Sequence, residues 1–138
     1  MESRYLYRGK RIDNREWVEG FLFMVNDVPY ILPHHKTGQP IHADNLLKTA
    51  VEVLEDTICQ CTGLKDKNGK LIWENDILSG HIDVESPEDE TRKRVVWHEN
   101  GWCTNEPGCD DYEELDDFDS ENFDVIGNKI DNTELLEV

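Results

Sequence analysis

Basic residues are scarce in this sequence: 14 Lys and Arg stand against 31 Asp and Glu among 138 residues, giving a formal net charge of -17 and a pI near 4.5. That balance disfavours nonspecific binding to nucleic acid or to an anionic membrane, since both need a cationic footprint. Long apolar runs are missing too. None approaches the roughly 18 residues of a membrane span, and the opening MESRYLYRGK carries charge with no apolar signal core behind it. The expectation is a soluble chain of the cytoplasm. Cysteine is sparse and poorly spaced for zinc: Cys59 and Cys61 form a C-x-C pair and Cys103 and Cys109 a C-x5-C pair, whereas structural zinc uses knuckles with two to four intervening residues. His98 close to the second pair keeps a zinc reading alive beside the default of reduced thiols. In an extended strand Cys59 and Cys61 point to one face, as small apolar residues.

What remains is long enough for one domain, or two very small ones, with a real core. Short apolar runs separated by frequent turn signals are the pattern of β structure. Arg4–Arg8 alternates up to Gly9, Asp13-Asn14 is a turn, and Glu16–Val25 leads to a hairpin candidate at Asn26-Asp27 before Tyr30–Leu32. Asp44–Glu55 is ambiguous. Leu46, Leu47, Ala50, Val51 and Leu54 share a helical face, while Val51–Val53 alternates as a strand would. Asn68-Gly69 is the strongest hairpin signal, between Thr62–Leu64 and Leu71–Trp73. Further strands are expected at Ile77-Leu78, Arg94–His98, Trp102–Thr104 and Asp124–Ile130. Ile82–Thr91 reads as a polar loop, Glu99–Gly101 as a turn, and Thr133–Leu136 as a helical turn capped by Asn132.

Charge is distributed unevenly. Arg4, Arg8, Lys10, Arg11 and Arg15 crowd the first fifteen positions, whereas Val95–Asn128 has no Lys or Arg and eleven carboxylates, nine of them within Asp110–Asp124. The segment reads either as a solvated loop, partly anchored by Tyr112, Phe118 and Phe123, or as a functional acidic surface. Four tryptophans are many for this length. They read as core rings, or one or two of them as an exposed peptide or base platform.

Catalytic signatures are absent. Asn68-Gly69-Lys70 lacks the rest of a phosphate-binding loop, the serines stand in no nucleophile-elbow context, and acid pairs arise by chance in so charged a chain. Asp116, Asp117, Asp119 and Glu121 have nearly the alternate spacing of a calcium loop but lack its glycine. His34, His35 and His42 have no acid or cysteine partner at ligand spacing.

Three stretches, Tyr5–Gly20, Thr62–Leu78 and Val125–Leu136, resemble the YopX family of bacteriophage and prophage proteins. The centre of the likeness is the T-G-L-K-D-K-N-G-K element followed by Trp73, Glu74, Asn75 and Asp76-Ile77. The family usually has Gly where this chain has Asn75; Asn is the next best residue at a positive φ, so the turn should survive. The long acidic stretch Cys109–Glu121 stands outside the family pattern. The resemblance implies a mainly β fold, with a small SH3-like barrel after the T-G-L-K element and an extended Val51–Ile58. It supplies no catalytic residue or cofactor.

The expectation is therefore a mainly β protein: an N-terminal antiparallel sheet (residues 1–57) packed on a small SH3-like barrel (residues 58–138) as one unit, closing in a short helical turn. It is expected to be no enzyme, to hold no cofactor, and to act by binding an unknown host or phage protein in the bacterial cytoplasm. The surface residues expected to carry binding are Arg4, Arg8, Lys10, Arg11, Arg15, Trp73, Asp110, Asp111, Glu113, Glu114, Asp116 and Asp117. Two rivals are a nucleic-acid module using the basic N-terminal face, which the net charge makes the lesser, and an acidic mimic of DNA. The opposed charges of the two thirds also suggest a homo-oligomer.

Overall fold

The computed structural model describes residues 3–33, 49–82 and 89–137. His34, His35, His42, the 44–48 part of the ambiguous segment and most of the 82–91 loop lie outside the described residues. The chain divides into two compact units, residues 1–61 and 62–138. The division falls inside a strand, four residues beyond position 57.

In the first unit a 3-10 turn at Ser3–Tyr5 precedes β1 (Tyr7–Lys10), β2 (Trp17–Val25), β3 (Val28–Pro33), β4 (Val51–Glu52) and the start of β5 (Cys59–Lys65). The strands are antiparallel, in the order β4-β3-β2-β1-β5. Asn26 and Asp27 both take positive φ (50° and 66°) between the paired residues Val25 and Val28, the two-residue turn whose twist suits a hairpin. Phe23 and Tyr30, opposite each other in that hairpin, stack with ring centroids 5.6 Å apart. Two expectations are corrected. The first strand starts at Tyr7 and runs through Gly9 because Arg4 and Tyr5 belong to the 3-10 turn. Thr57 ends a second 3-10 turn (Glu55–Thr57), where its hydroxyl donates to the Leu54 carbonyl and accepts from the Lys10 amide, so β5 begins only at Cys59. Among the described residues the ambiguous segment is extended at Val51–Glu52, and Val53 bridges to Arg11. Cys59 and Cys61 are both fully buried from one face of β5.

The second unit takes the rest of β5, then β6 (Leu71–Trp73), β7 (Asp76–Gly80), β8 (Thr91–His98), β9 (Gly101–Asn105), β10 (Glu113–Glu114), helix α1 (Asp117–Asn122), β11 (Phe123–Asn128) and a 3-10 turn at Thr133–Leu136. Five strands form an antiparallel sheet in the order β10-β9-β8-β7-β11. Among the described residues no pairing joins β10 to β11. Among the described residues the sheet does not close on itself, whereas the expectation was a small SH3-like barrel. Ile72, Leu78, Val95, Leu115 and Phe123 make the core, with Leu64, Trp102 and Val125 against it.

The turns in and after the T-G-L-K element are built by two aspartates. Asp66 Oδ1 accepts from the amides of Asn68 and Lys70 (2.9 Å each), its Oδ2 accepts from Val125 (2.9 Å), and Gly69 sits at φ 81°. Burial pushes the Asp66 carboxyl up, but the amides of Val125, Lys70 and Asn68 outweigh it and hold it below the ordinary value. Buried Asp76 accepts from the Trp73 amide at 2.8 Å across a turn in which Asn75 takes φ 71°, as the Gly-to-Asn departure requires. At the other end β11 stops at Asn128, two residues early, because Asn128 Oδ1 accepts from the amides of Ile130 and Asp131. Asn132 precedes the final turn without capping it; its Oδ1 accepts from the Asn128 amide instead.

Candidate interaction surface

The acidic run is tied down at four points. The Asn105 side-chain amide donates to the carbonyls of Cys109 (2.9 Å) and Asp111 (2.8 Å), folding residues 106–111 back onto β9. β10 then pairs with β9, Glu113 opposite Thr104 and Glu114 opposite Cys103, and the Leu115 amide donates to the Trp102 carbonyl at 3.0 Å. A capping box opens α1: Asp116 Oδ1 accepts from the Asp119 amide and Asp119 Oδ2 from the Asp116 amide, both at 3.3 Å. Finally Lys93 Nζ donates to Asp119 Oδ1 at 2.8 Å, with both side chains buried and the ammonium 4.6 Å from the centre of the Phe123 ring. The run thus holds a two-residue strand and a six-residue helix, with Asp111 and Leu115 beside them bonded back to β9. It is also no calcium loop, since Asp119 turns inward to a lysine. Asp110, Asp111, Glu113, Glu114, Asp116, Asp117 and Glu121 remain exposed on it.

Beside this segment, at the tip of the β8–β9 hairpin, lies a cleft of about 580 Å³. The hairpin turns on Glu99-Asn100, with Glu99 at φ 56° and Gly101 already paired with His98. His98 and Tyr112 stack in parallel on its wall, centroids 3.9 Å apart and planes 1° apart. Trp102, Leu64 and Leu115 add apolar surface, and Glu99 and Glu114 supply carboxylates. Trp97, 54% exposed, meets Trp102 edge-on at 5.1 Å. Burial, then the charges of Glu114 and Glu99, push the Cys103 thiol up, so both carboxylates act on the same point of the cleft lining.

Among the described basic residues of the first unit, Arg4, Arg8, Lys10 and Arg11 are engaged with neighbouring side chains. The Arg8 guanidinium lies 4.7 Å and the Lys10 ammonium 5.4 Å from the centre of the Trp17 ring. Arg11 binds Asp13 through two hydrogen bonds of 2.9 and 2.7 Å, which hold the Asp13 carboxyl below and the Arg11 guanidinium above its ordinary value. Arg4 lies over Tyr5 and donates to its hydroxyl, and Arg15 is exposed at φ 60°. Trp73 is 3% exposed and belongs to the interior, so the exposed tryptophan is Trp97. Sequence reasoning passed over His98, Glu99, Trp102 and Tyr112 as one surface. The Trp-His-Glu-Asn-Gly-Trp hairpin was a signal, but Tyr112 reaches it only through the pairing of β10.

Among the described residues no group of three or more His, Cys, Asp and Glu is placed to hold a metal ion, and no helix is long and apolar enough to cross a membrane. A family model described as "YopX protein" matches residues 6–137. The chain is similar to the crystal structure of protein EF1440 from Enterococcus faecalis, with a TM-score of 0.53 and 25% identity over 95% of this chain and 96% of that one. No curated protein matches it.

Proposed function

The chain belongs to the YopX family, and from that premise we propose that it is a noncatalytic binding protein of phage type whose acidic second unit engages a cationic surface on another protein. The observation that carries this reading is the anchoring of the 110–124 segment, whose exposed carboxylates stand on or directly beside a two-residue strand and a six-residue helix tied to the sheet. Charge is also segregated. Residues 1–61 hold seven cations and nine acids, net -2, while residues 62–138 hold seven cations and twenty-two acids, net -15. A field of that sign steers a basic partner and repels nucleic acid.

The same order favours a second reading in which the partner is a DNA-binding protein and the carboxylates stand in for phosphates. A nucleic-acid module on the N-terminal face fits less well, because Arg8 and Lys10 share the Trp17 ring and Arg11 is neutralised by Asp13. A cytoplasmic site of action accords with this reading.

The test is affinity capture from host lysate with the native chain and with Asp110→Asn/Asp111→Asn/Glu113→Gln, at low and high salt. A specific basic partner captured by the native chain, and lost with the variant or with salt, is the expected outcome. Equal capture by both proteins at both salts would remove the acidic surface from the account. Competition of the captured partner by duplex DNA then separates mimicry from general acidic docking.

A further inference from the structure

We propose that the cleft at the tip of the β8–β9 hairpin receives a Lys or Arg side chain from an extended partner segment that adds to the β10 edge. This rests on the reading above, and names where on the second unit the cation is taken up. β10 ends its sheet, with β9 as its neighbour on one side. Among the described residues no strand pairs with its other side, which is where a further strand would find main-chain groups to pair with, as in strand-addition binding. Such a strand would carry alternate side chains toward the cleft, which opens beside Tyr112 and Glu114.

The lining selects the occupant. Aromatic faces and carboxylates both attract a cation: Tyr112 and Trp102 through their rings, Glu99 and Glu114 through charge. A carboxylate or phosphate would be repelled by both acids, and a purely apolar side chain would leave them without a role. The apolar stretch formed by Leu64 and Leu115 suits the methylene stem of Lys or Arg, whose charged head then lies at the acidic rim. The His98–Tyr112 stack holds that aromatic wall in place before any ligand arrives, so little ordering remains to be done on binding. Burial, and then the charges of Glu114 and Glu99, push the Cys103 thiol up, in keeping with two acids placed close to this lining.

The experiment is an amide chemical-shift titration of the full chain with three synthetic extended peptides: alternating Thr and Lys, alternating Thr and Arg, and alternating Thr and Glu. Saturable shifts at residues 98–103 and 112–115, and at the Trp102 indole, are expected with the Lys or Arg peptide and not with the Glu peptide. Comparison of the two cationic peptides shows which head group is preferred. Glu99→Gln/Glu114→Gln, both exposed and so harmless to the fold, should weaken binding about fivefold or more. Glu134→Gln/Glu137→Gln, exposed acids of the same unit outside both the acidic run and the cleft lining, should leave it within about twofold. Shifts confined to 116–121 with the cleft unmoved would overturn the cleft while leaving acidic docking in place. Absence of saturable shifts with either cationic peptide, or equal binding of the Glu peptide, would overturn the inference, and the capture experiment would still decide the broader reading.

Discussion

Asp119 and Lys93 are bonded at 2.8 Å with 3% and 6% of their side chains exposed, and Asp119 is at once the inward anchor of the acidic segment and the third residue of the capping box that starts its helix. One carboxylate thereby couples the exposed acids of α1 to the interior strand β8. Removing its cation leaves a charge buried with only a backbone amide for company.

Lys93→Met should therefore cost about 3–5 kcal/mol of stability, the range for stranding one member of a buried pair. Lys93→Met/Asp119→Leu should recover much of that loss. Urea unfolding of the three proteins measures both steps, and a single variant as stable as the native chain would show that the pair does not hold the segment.

Asp66→Asn should cost about 1–3 kcal/mol, because an amide offers one acceptor oxygen where the carboxylate serves three backbone N–H groups. The pH dependence has a definite sign. The folded carboxyl lies below the ordinary aspartate value near 3.9, so its stabilisation is present above about pH 4 and is lost as pH falls through the lower folded value. Thermal unfolding between neutral and acid pH should show the native chain losing stability on that limb, with Asp66→Asn flatter.

Asn75 takes φ 71° in the turn between β6 and β7. Asn75→Gly should be neutral or slightly stabilising, and Asn75→Val should cost on the order of 1–2 kcal/mol, since a β-branched side chain is strained there. Midpoints of thermal unfolding, native above Val and level with Gly, are the check.

A Cβ built on Gly80 would lie 2.6 Å from the Asn122 carbonyl oxygen and 2.8 Å from the Phe123 ring. The backbone must shift to admit it. Gly80→Ala should lose about 1–3 kcal/mol and loosen the junction of α1 with β11, read as faster amide exchange at Asn122 and Phe123.

Much of the β structure was legible from local chemistry. Asn26-Asp27 between β-rich runs, the Asp66–Lys70 turn and Asn75 at positive φ are decided by a few adjacent residues, so their turns could be read directly. Local reading failed where a side chain captured the backbone: Thr57 and Asn128 accept amide hydrogen bonds that delay one strand and shorten another.

The sequence by itself determined the acidity, the two-residue turns, the shared face of Cys59 and Cys61 and the family to which the chain belongs. Only the tertiary structure decided that the second sheet stays open among the described residues, that Trp73 is interior while Trp97 is exposed, and that the acidic run is ordered. The reason is range. A turn needs only neighbours to satisfy its amides, whereas Lys93 with Asp119 and His98 with Tyr112 are partners 26 and 14 positions apart, brought together only when β8, β9 and β10 pair.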